Sequence, residues 1–554
     1  MSKGSPNEPS LRPPIFNVTN HDASRTTPGG FWFVAPYADL VQRDPGKLAV
    51  PAQVGPHIYA DDGTLIWSGA DMFPTRSVCD FRQIEYHGAP ALSFIVTARS
   101  SAKYPQGAAL ILDDTYSIVN EVFTPIPGIS INMHEFKVTD HGSSALLLYD
   151  TPTQWSNDPY LSWGFVDSGF AEIDLLTGQP RFMWNCSDHI PLTASTKPEP
   201  EPGDRSVWDW IHLNTVDRDA NGDFLVTARH TDAIYKVSRR TGAILWQLGG
   251  VGSSFELQGF NFSRQHDARF VDANGTTTII SILNNASDGI DMTADLSSAQ
   301  LIRLDHTTMK ASLIQKWDRP DGQLSHLRGN MQILPDTNIF VGWSANDGYV
   351  SEHSADGDVL MEARFLSDRL STYRAYKFFG FRGRPQHPPT VKAIVHSTSA
   401  SECVTLVYVS WNGATDVAYW NFYTSKHNEP EGFVYSGRKN KTGFETVYSY
   451  GGASRCIVAE AVAIDGTPIR NSSIEAPIWQ DAGCSLETAY FLESEQRMAD
   501  GAPQAASHDI YDGLKSMAST NPLVLVALGF CLSYLPPLLR RPQGRIGGGK
   551  QACG

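Results

Sequence analysis

Residues 212–250 of the chain read HLNTVDRDANGDFLVTARHTDAIYKVSRRTGAILWQLGG. Two patterns follow one another in this stretch. In the first, a polar residue opens an apolar strand, a turn follows, and a second strand ends in small or polar residues. In the second, an apolar strand, a polar corner and a turn lead to a strand that ends in Trp246. Apolar runs separated by turn residues are typical of strands, so the stretch predicts two successive β-hairpins, or four strands.

The second hairpin, which often ends in Trp, recurs along the chain. Its six copies begin at Ile58, Leu110, Ala171, Tyr235, Leu301 and Ser351. Copies of the first hairpin lie between them, as FRQIEYHGAPALSFIVTARSS, HEFKVTDHGSSALLLYDT, QHDARFVDANGTTTIISILNNAS and RGNMQILPDTNIFVGWSAND. The period is 51 to 67 residues, which suits one four-stranded propeller blade with long loops.

Six such repeats predict an all-β fold in which a six-bladed β-propeller occupies residues 31–385. A closed ring of blades leaves no free sheet edge. A β-sandwich would not require so long a period, and five or seven blades fit the number of copies less well. The chain of 554 residues exceeds the size at which one hydrophobic core stops growing, about 250 to 300 residues, and a propeller is an exception to that limit.

The pattern changes after about Pro388. Shorter strands follow, namely TVKAIVHS, CVTLVYVSWN, VAYWNFYTS, FETVYSY, CIVAEAVAID and RNSSI, and they predict a fibronectin type III-like β-sandwich over residues 386–477. Cys403 and Cys456 begin two of these strands and are candidates for a disulfide, which spacing alone does not establish. We expect residues 1–30 to form an N-terminal tail and residues 478–520 to form a linker.

A C-terminal transmembrane helix is predicted over residues 521–540. Leu523–Leu539 is an apolar run of 17 positions, the lower limit for spanning a bilayer, and four basic residues follow it. The positive-inside rule makes 541–554 a basic cytoplasmic tail and puts the large N-terminal part outside the cell or in a lumen. The alternative is an amphipathic or buried helix, since Pro536 and Pro537 weaken the last turn.

The N-terminus conflicts with this topology, because MSKGSPNEPSLRPP has no apolar signal-peptide core. Either the true start lies elsewhere, or the protein is tail-anchored and faces the cytosol. Seven Asn-x-Ser/Thr sequons favour the secretory pathway, and each is a candidate surface glycan site. They begin at Asn17, Asn185, Asn261, Asn274, Asn285, Asn440 and Asn471.

The charge balance argues against a nucleic-acid partner. The formal net charge is −15, and no Lys/Arg run occurs before the C-terminus, whereas phosphate neutralisation requires a clustered basic face. The seven cysteines show no CxxC spacing, which argues against zinc ribbons and thioredoxin-like redox chemistry. An anionic substrate would need a local cationic site.

Candidates for such a site are the histidines His134, His212 and His266, which open the first hairpin in three successive repeats. Equivalent positions of a propeller converge on its central channel, so these imidazoles should share one small volume. Arg229 ends the second strand of the hairpin that His212 opens. We expect it to join them.

Three further residues are predicted to bind substrate. Arg328 and Asn330 open the equivalent hairpin of the next repeat, and Asn214, two residues after His212, should share its strand face. By the same alternation, His230 should point away from Arg229, and it ranks below the others. Capping of strands in a polar channel is the alternative explanation for each of these residues.

Three histidines also suit zinc or copper. Arg229 argues against a metal, because a guanidinium repels a divalent ion but forms a bidentate pair with a sulfate or phosphate ester. The chain has no GxxxxGK[ST] loop, so a nucleotide-dependent mechanism has no support. A quinoprotein dehydrogenase lacks its usual adjacent cysteines. We therefore predict neither a metal nor a cofactor.

The runs DWIHLNTVD, LVTARHTDAIYKVSRRTGAILWQLGG and FSRQHDARFVD resemble the core of the arylsulfate sulfotransferase family, in its fungal-type branch. The similarity extends from about Phe31 to about Phe381. The resemblance implies a six-bladed propeller that moves a sulfuryl group from a phenolic sulfate ester to a phenolic acceptor. It also implies a transiently sulfated histidine and no requirement for phosphoadenosine phosphosulfate.

The resemblance assigns roles residue by residue. His266 in SRQHDA matches the nucleophile, His212 in WIHLN and Arg229 in TAR match sulfate-holding residues, and His134 in NMHEF matches a further channel histidine. The appended sandwich and the predicted membrane helix depart from the periplasmic bacterial enzymes. A non-catalytic, membrane-anchored propeller that binds a ligand or a protein partner is therefore the alternative function.

Overall fold

The computed structural model describes residues 7–38, 52–73, 77–97, 107–154, 164–201, 207–344, 347–399, 402–426 and 432–480. The chain divides into two compact units. Unit 1 is Met1–His387 with Trp411–Asp416, and unit 2 is Pro388–Ser410 with Val417–Gly554. Strands dominate both units, and the described ranges contain no α-helix.

Six sheets of four or five strands form the described part of unit 1. Its first strands are β1 Phe16–Asn20, β2 Phe31–Ala38, β3 His57–Ala60, β4 Leu65–Ser68, β5 Val78–Tyr86, β6 Ala89–Val96, β7 Ala108–Leu112, β8 Ile118–Val122, β9 Ile131–Thr139, β10 Ser144–Gln154, β11 Gly164–Asp174, β12 Pro180–Asn185 and β13 Val207–Trp208. The others are β14 Leu213–Arg218, β15 Phe224–Ala228, β16 Ala233–Val237, β17 Ile244–Gly249, β18 Glu256–Gln258, β19 His266–Ala273, β20 Thr277–Asn284, β21 Ser298–Asp305, β22 Lys310–Asp318, β23 Asn330–Ile333, β24 Ile339–Gly342, β25 Val350–His353, β26 Val359–Phe365 and β27 Leu370–Phe378. Short 3₁₀ helices cover Ala70–Met72, Asp140–Gly142, Cys186–Asp188, Leu192–Ala194 and Arg229–Thr231.

The sheets of unit 1 follow one another along the chain. Strands β5–β8, β9–β12, β14–β17, β19–β22 and β23–β26 form successive antiparallel sheets, while β27 pairs with β2 and so combines both ends of the unit in the sheet β27-β2-β3-β4. The first strand of each sheet contacts the first strand of the next, from β27 through β5, β9, β14, β19 and β23 and back to β27. This ring of contacts is closed.

The hairpins predicted from the repeat are confirmed. All six copies of the Trp-type pattern form antiparallel pairs, namely β3–β4, β7–β8, β11–β12, β16–β17, β21–β22 and β25–β26. The intervening pattern forms β5–β6, β9–β10, β14–β15, β19–β20 and β23–β24. The predicted N-terminal tail also contributes a strand, because β1 pairs with β26.

The recurring tryptophans pack against the next sheet. Trp184 Nε1 donates to Gly242 O at 2.9 Å, and Trp317 Nε1 donates to Ser354 O at 2.9 Å. Gly242 lies in the turn between β16 and β17 with a φ of 72°, a conformation that glycine adopts without strain. Packing between sheets therefore accounts for the recurring Trp.

Apolar clusters fill the spaces between consecutive sheets. Each cluster draws buried side chains from two neighbouring sheets, and Phe94, Tyr149, Phe224, Ile280 and Trp343 are members of five successive clusters. Trp32 closes the ring, because its ring centroid lies 5.3 Å from that of Phe16 and 6.3 Å from that of Phe340. Burial of these faces is the main stabilising term of such a fold.

Unit 2 consists of two four-stranded sheets. Its strands are β28 Thr390–Ser397, β29 Cys403–Ser410, β30 Tyr419–Ser425, β31 Phe433–Asn440, β32 Glu445–Gly451, β33 Cys456–Val462, β34 Pro468–Asn471 and β35 Ile478–Trp479. The sheet orders are β32-β29-β28-β35 and β31-β30-β33-β34. Phe422 of the second sheet stacks on Tyr448 of the first, with centroids 4.3 Å apart.

Two predictions from the sequence are wrong. Cys403 is disulfide-bonded, but Cys456 keeps its thiol, so the two do not pair; they begin strands of different sheets. Asn285 is 0 % exposed, so this sequon is not a surface glycan site. In contrast, Asn17, Asn261, Asn274 and Asn440 are exposed.

The predicted membrane anchor lies outside the described residues, as do 541–554 and the predicted linker beyond residue 480. Within the described part of the chain, no helix is long and apolar enough to cross a membrane.

Candidate active site

The three predicted histidines come from three sheets of unit 1. His134 lies within β9, His212 directly precedes β14, and His266 is the first residue of β19. The ring centroids of His134 and His212 are 4.8 Å apart. His212 acts electrostatically on both His134 and His266, and His266 also acts on His134. Their strand positions nevertheless differ, because a β-bulge interrupts β9 and a φ of 52° at His212 turns the chain before β14.

His266 is held by hydrogen bonds on both ring nitrogens. Its Nδ1 lies 2.8 Å from Asn285 Oδ1 and 3.1 Å from Arg264 O, and both oxygens accept. Arg328 donates its backbone N–H to His266 Nε2 at 3.2 Å. The ring is therefore the neutral tautomer with the proton on Nδ1, and Nε2 carries the lone pair.

Burial keeps this ring neutral. His266 is 1 % exposed, and burial, followed by the positive charge of Arg229, lowers the pKa of His266 well below its ordinary value of 6.5. Burial also lowers the pKa of His134, and His212 and His266 add to the effect. Both imidazoles are unprotonated at neutral pH, as a nitrogen nucleophile must be.

Arg229 lies next to these rings in the 3₁₀ helix that follows β15. It is 4 % exposed; Nη1 donates to His230 Nε2 at 2.9 Å, and Nη2 donates to His326 O at 3.0 Å. Its Nε is buried without a hydrogen-bond partner among the described residues. The loop after residue 325 thus contacts Arg229 through His326 and His266 through Arg328, which puts a buried cation beside the lone pair of His266.

The resemblance to the sulfotransferases implies that Arg229 holds a sulfate group. On that expectation, Arg229→Lys should lower kcat for sulfuryl transfer by about 10² to 10³-fold, because an ammonium group does not replace the planar donors of a guanidinium. Steady-state kinetics with an aryl sulfate donor measure this change. Arg239→Lys, which alters a half-exposed arginine bonded to Glu172, serves as the control. An Arg229→Lys variant with activity within threefold of wild type would contradict the role of Arg229 that the resemblance implies.

His230 does not point away from the site, contrary to the expectation from strand alternation. Its ring centroid lies 4.8 Å from that of His212, and its Nδ1 donates to Asp209 O at 2.7 Å. Alternation fails because β15 ends at Ala228 and residues 229–231 form a 3₁₀ helix. Burial is the main reason that the pKa of His230 falls to about 3.

Asp209 is a site residue that the sequence analysis missed. Its carboxylate is hydrogen-bonded to Nδ1 of His212. Burial alone would raise the pKa of Asp209, but the charge of His212 and this hydrogen bond outweigh burial and lower the pKa to about 2. An ionised carboxylate hydrogen-bonded to Nδ1 fixes the orientation of the His212 ring.

Asp209, His212 and His230 could also hold a metal ion, since one ligand atom from each lies within 4.8 Å of the others. Their donor set suits a transition metal. However, both nitrogens of His230 are already hydrogen-bonded, and one of them faces the guanidinium of Arg229 at 2.9 Å. That the site uses no metal stays a prediction.

The two predicted asparagines tie neighbouring sheets together. Asn214 Nδ2 donates to Gln265 O at 2.8 Å, while Asn330 donates to Ala375 O at 2.8 Å and accepts from Ala375 N at 2.9 Å. Both residues are fully buried. Both the NH₂ group and the oxygen of the Asn330 side chain are hydrogen-bonded to Ala375. Its predicted contact with substrate would therefore require these hydrogen bonds to break.

An apolar wall adjoins the histidines. Tyr37, Cys79 and Tyr373 form a buried cluster against which Met133 packs, and the ring of Tyr373 lies 5.2 Å from that of His134. The guanidinium of Arg328 lies 5.0 Å from the centroid of Tyr37. Burial raises the pKa of Cys79 to about 12, so this thiol is not a nucleophile at neutral pH.

A buried ionic cluster lies on the same inner strands, and the sequence analysis did not identify it. Arg374, whose side chain is 0 % exposed, bonds Asp80 at 2.9 Å, Glu135 at 3.2 Å and Asp267 at 3.4 Å. Arg82 and Arg269 complete it through ion pairs with the same carboxylates. The repeated Asp-x-Arg at 80–82 and 267–269 was the available signal.

A buried, neutral imidazole beside buried guanidinium groups has the chemistry to bind an anionic group and to attack it. Residues 95–366 match the family model described as arylsulfotransferase (ASST). This match supports the arylsulfotransferase family and, in general, an arylsulfotransferase-like enzyme.

Comparisons with other proteins add little. No curated protein matches the chain significantly. Among solved structures, a Bacteroides caccae protein of unknown function is 9 % identical and covers 64 % of this chain and 100 % of its own, with a TM-score of 0.35. The Dos1 propeller is 10 % identical over 88 % of this chain and 100 % of its own, with a TM-score of 0.27. Scores this low carry no argument about function.

Proposed function

We propose that this protein transfers a sulfuryl group from a phenolic sulfate ester to a phenolic acceptor through a covalent sulfohistidine at His266. The observation that carries the proposal is the unprotonated Nε2 of a buried imidazole beside the cation of Arg229. Phosphoadenosine phosphosulfate is not required, because the phenolic ester is itself the sulfuryl donor.

In the first half-reaction, the lone pair on His266 Nε2 attacks sulfur, and the bond between sulfur and the phenolic oxygen breaks. Attack requires the donor to displace the Arg328 N–H from Nε2. Arg229 binds the sulfuryl oxygens, and His212, supported by the Asp209 carboxylate, stabilises the leaving oxygen. Preorganised donors of this kind account for much of the rate enhancement in group transfer.

In the second half-reaction, the oxygen of an acceptor phenol attacks sulfur and the bond between sulfur and Nε2 breaks. The unprotonated imidazole of His134 takes the phenolic proton and releases it to solvent, and Nε2 regains its lone pair. The wall of Tyr37, Met133 and Tyr373 suits the aromatic rings of donor and acceptor. Two half-reactions at one site imply ping-pong kinetics.

We also propose that the six sheets of unit 1 are the blades of a six-bladed propeller of the fungal-type branch, and that unit 2 is a fibronectin type III-like sandwich. The closed sequence of contacts among the inner strands and the two facing sheets of unit 2 support these assignments. A single C-terminal membrane helix, with the large N-terminal part extracellular or lumenal, stays a prediction.

Trapping the covalent intermediate tests the mechanism. Purified protein is mixed with excess 4-nitrophenyl sulfate without an acceptor, quenched in alkali because phospho- and sulfo-histidine-type bonds are acid-labile, and digested for mass spectrometry. We expect one sulfuryl group per chain on the peptide that contains His266, together with a burst of one equivalent of 4-nitrophenolate.

Addition of phenol should discharge the adduct and yield phenyl sulfate. A burst without an adduct on His266 would assign the nucleophile to another residue. Absence of both a burst and transfer, with the fold intact by circular dichroism, would favour a non-catalytic propeller that binds an anionic aromatic ligand.

A further inference from the structure

Asn285 is the side chain that contacts Nδ1 of His266, and neither the repeat nor the family resemblance singled it out. It follows the last residue of β20 and is 0 % exposed. Its Oδ1 lies 2.8 Å from His266 Nδ1, while its Nδ2 donates to Ser325 O at 2.8 Å and to Arg328 O at 2.9 Å. All the polar atoms of this amide are therefore engaged.

These contacts determine which way the amide faces. Ser325 O and Arg328 O are carbonyl oxygens and can only accept, so the NH₂ group must face them. The Oδ1 atom is then left to face His266 and must accept a proton from Nδ1. Arg264 O, at 3.1 Å, is also an acceptor and therefore also requires a proton on Nδ1.

The same amide also holds the loop that faces the other side of the ring. By binding the carbonyls of Ser325 and Arg328, Asn285 fixes the loop whose Arg328 N–H reaches His266 Nε2 at 3.2 Å. One side chain thus acts on both nitrogens, directly on Nδ1 and through the loop on Nε2.

We propose that Asn285 is a positioning residue that holds His266 in the Nδ1–H tautomer and so makes Nε2 the nucleophile. This inference rests on the proposed sulfuryl transfer. When Nε2 bonds to sulfur and the phenolate leaves, the ring keeps its Nδ1 proton and gains one positive charge, which Oδ1 of Asn285 stabilises.

A neutral amide suits this role better than a carboxylate would. A carboxylate on Nδ1 stabilises the imidazolium form and would favour protonation of Nε2 before substrate binds. The other charged or titratable groups around the histidines are Arg229, His212, His134, Arg328 and Arg374, with Asp267 next in the chain. His212, by contrast, has the carboxylate of Asp209 on its Nδ1.

Two substitutions separate these effects. Asn285→Ala removes the acceptor and the loop contacts, and we expect the single-turnover rate of His266 sulfation to fall about 10 to 100-fold, with donor KM within about twofold. Asn285→Asp keeps the shape but adds charge, and we expect the pKa of His266 to rise by about one unit or more. Its sulfation rate should then fall tenfold per pH unit on the acid side of that pKa.

The tautomer and protonation state of His266 are measured by ¹⁵N NMR of protein labelled at histidine. The His266 signals are assigned by their loss in His266→Gln. Wild type should give a protonated Nδ1 and an unprotonated Nε2 at neutral pH, and His266 of Asn285→Asp should gain its second proton at a higher pH than His266 of wild type. Asn338→Ala is the matched control, because Asn338 is a buried amide that donates to Arg25 O at 2.8 Å, away from the histidines. It should lose stability without a change in the pH profile.

The outcomes are distinguishable. An Nε2–H tautomer in wild type, or Asn285→Asp with the His266 titration and pH–rate profile of wild type, would overturn the role of Asn285. A wild-type protein with the expected tautomer but no sulfohistidine would overturn the transfer mechanism and leave the contact between Asn285 and His266 established.

Discussion

Replacing His266 with alanine is expected to lower kcat/KM for transfer from 4-nitrophenyl sulfate to phenol by about 10⁴-fold or more. Removal of a covalent nucleophile eliminates the intermediate itself rather than one contact with it, and comparable losses follow removal of nucleophiles elsewhere. The measurement is formation of phenyl sulfate and 4-nitrophenolate under initial-rate conditions by purified protein.

His57→Ala provides the control for loss of a buried histidine. His57 is 0 % exposed, and its Nε2 is hydrogen-bonded to Gln53 O at 3.3 Å. This variant should be less stable, yet its folded fraction should retain activity within about twofold of wild type. If His266→Ala keeps more than a tenth of wild-type activity, His266 is not the nucleophile.

Replacing Arg374 with leucine is expected to lower the free energy of unfolding of unit 1 by about 3 to 5 kcal/mol. Arg374 bonds three buried carboxylates, and Nη2 also donates to Asn214 O at 3.0 Å. Leucine has a similar volume but leaves Asp80, Glu135 and Asp267 with one compensating cation fewer. Urea denaturation, followed by tryptophan fluorescence, measures the change.

Arg25→Leu is the control, because the pair Arg25–Asp358, at 2.9 Å, is exposed on both sides. Exposed pairs contribute about 0 to 1 kcal/mol, so the two variants should differ severalfold in effect. A loss below about 1 kcal/mol for Arg374→Leu would mean that the cluster relaxes or admits water when its central cation is removed.

The same cluster predicts sensitivity to acid. Burial would raise the pKa of Glu135, but Arg269, Arg374 and Arg82 together lower it from 4.5 to about 2. A carboxyl whose pKa is lower in the folded state stabilises the fold above its unfolded pKa and loses that contribution as pH falls. The stability of wild type should therefore decrease between pH 4.5 and 2, and Glu135→Gln should show a smaller decrease over this range.

Strand pairing was predictable from the sequence because the repeat places an apolar run on each side of a turn at a nearly constant period. The stretch YKVSRRTGAILW, for example, forms β16 and β17. The strand β31 was missed because its second half, SGRKN, is polar. The predicted disulfide between Cys403 and Cys456 was wrong because the position of a cysteine along a strand does not determine which sheet faces it.

Orientation within the site was less predictable. Alternation along a strand could not predict the orientation of His230, because the strand ends two residues before it. It also could not show that the side-chain amide of Asn330 both donates to and accepts from the backbone of Ala375. The contacts of Asn285 link residues from different loops, which no local pattern encodes. Asp209, in contrast, lies three residues before His212, so its contact with that histidine is local. A single sequence does not predict the role of a residue whose hydrogen bonds are made with backbone carbonyls of another sheet.

The pairing of β27 with β2 has a consequence for how the chain folds. Phe31 pairs with Phe378, so the sheet that completes the ring must wait until roughly 340 further residues have been synthesised, which takes tens of seconds at about 5 to 20 residues per second. Until then the edge of β2 is open to pairing with other chains. The entropic cost of closing so long a loop grows only slowly with length, so the delay, rather than the final stability, makes ring closure the vulnerable step of biogenesis.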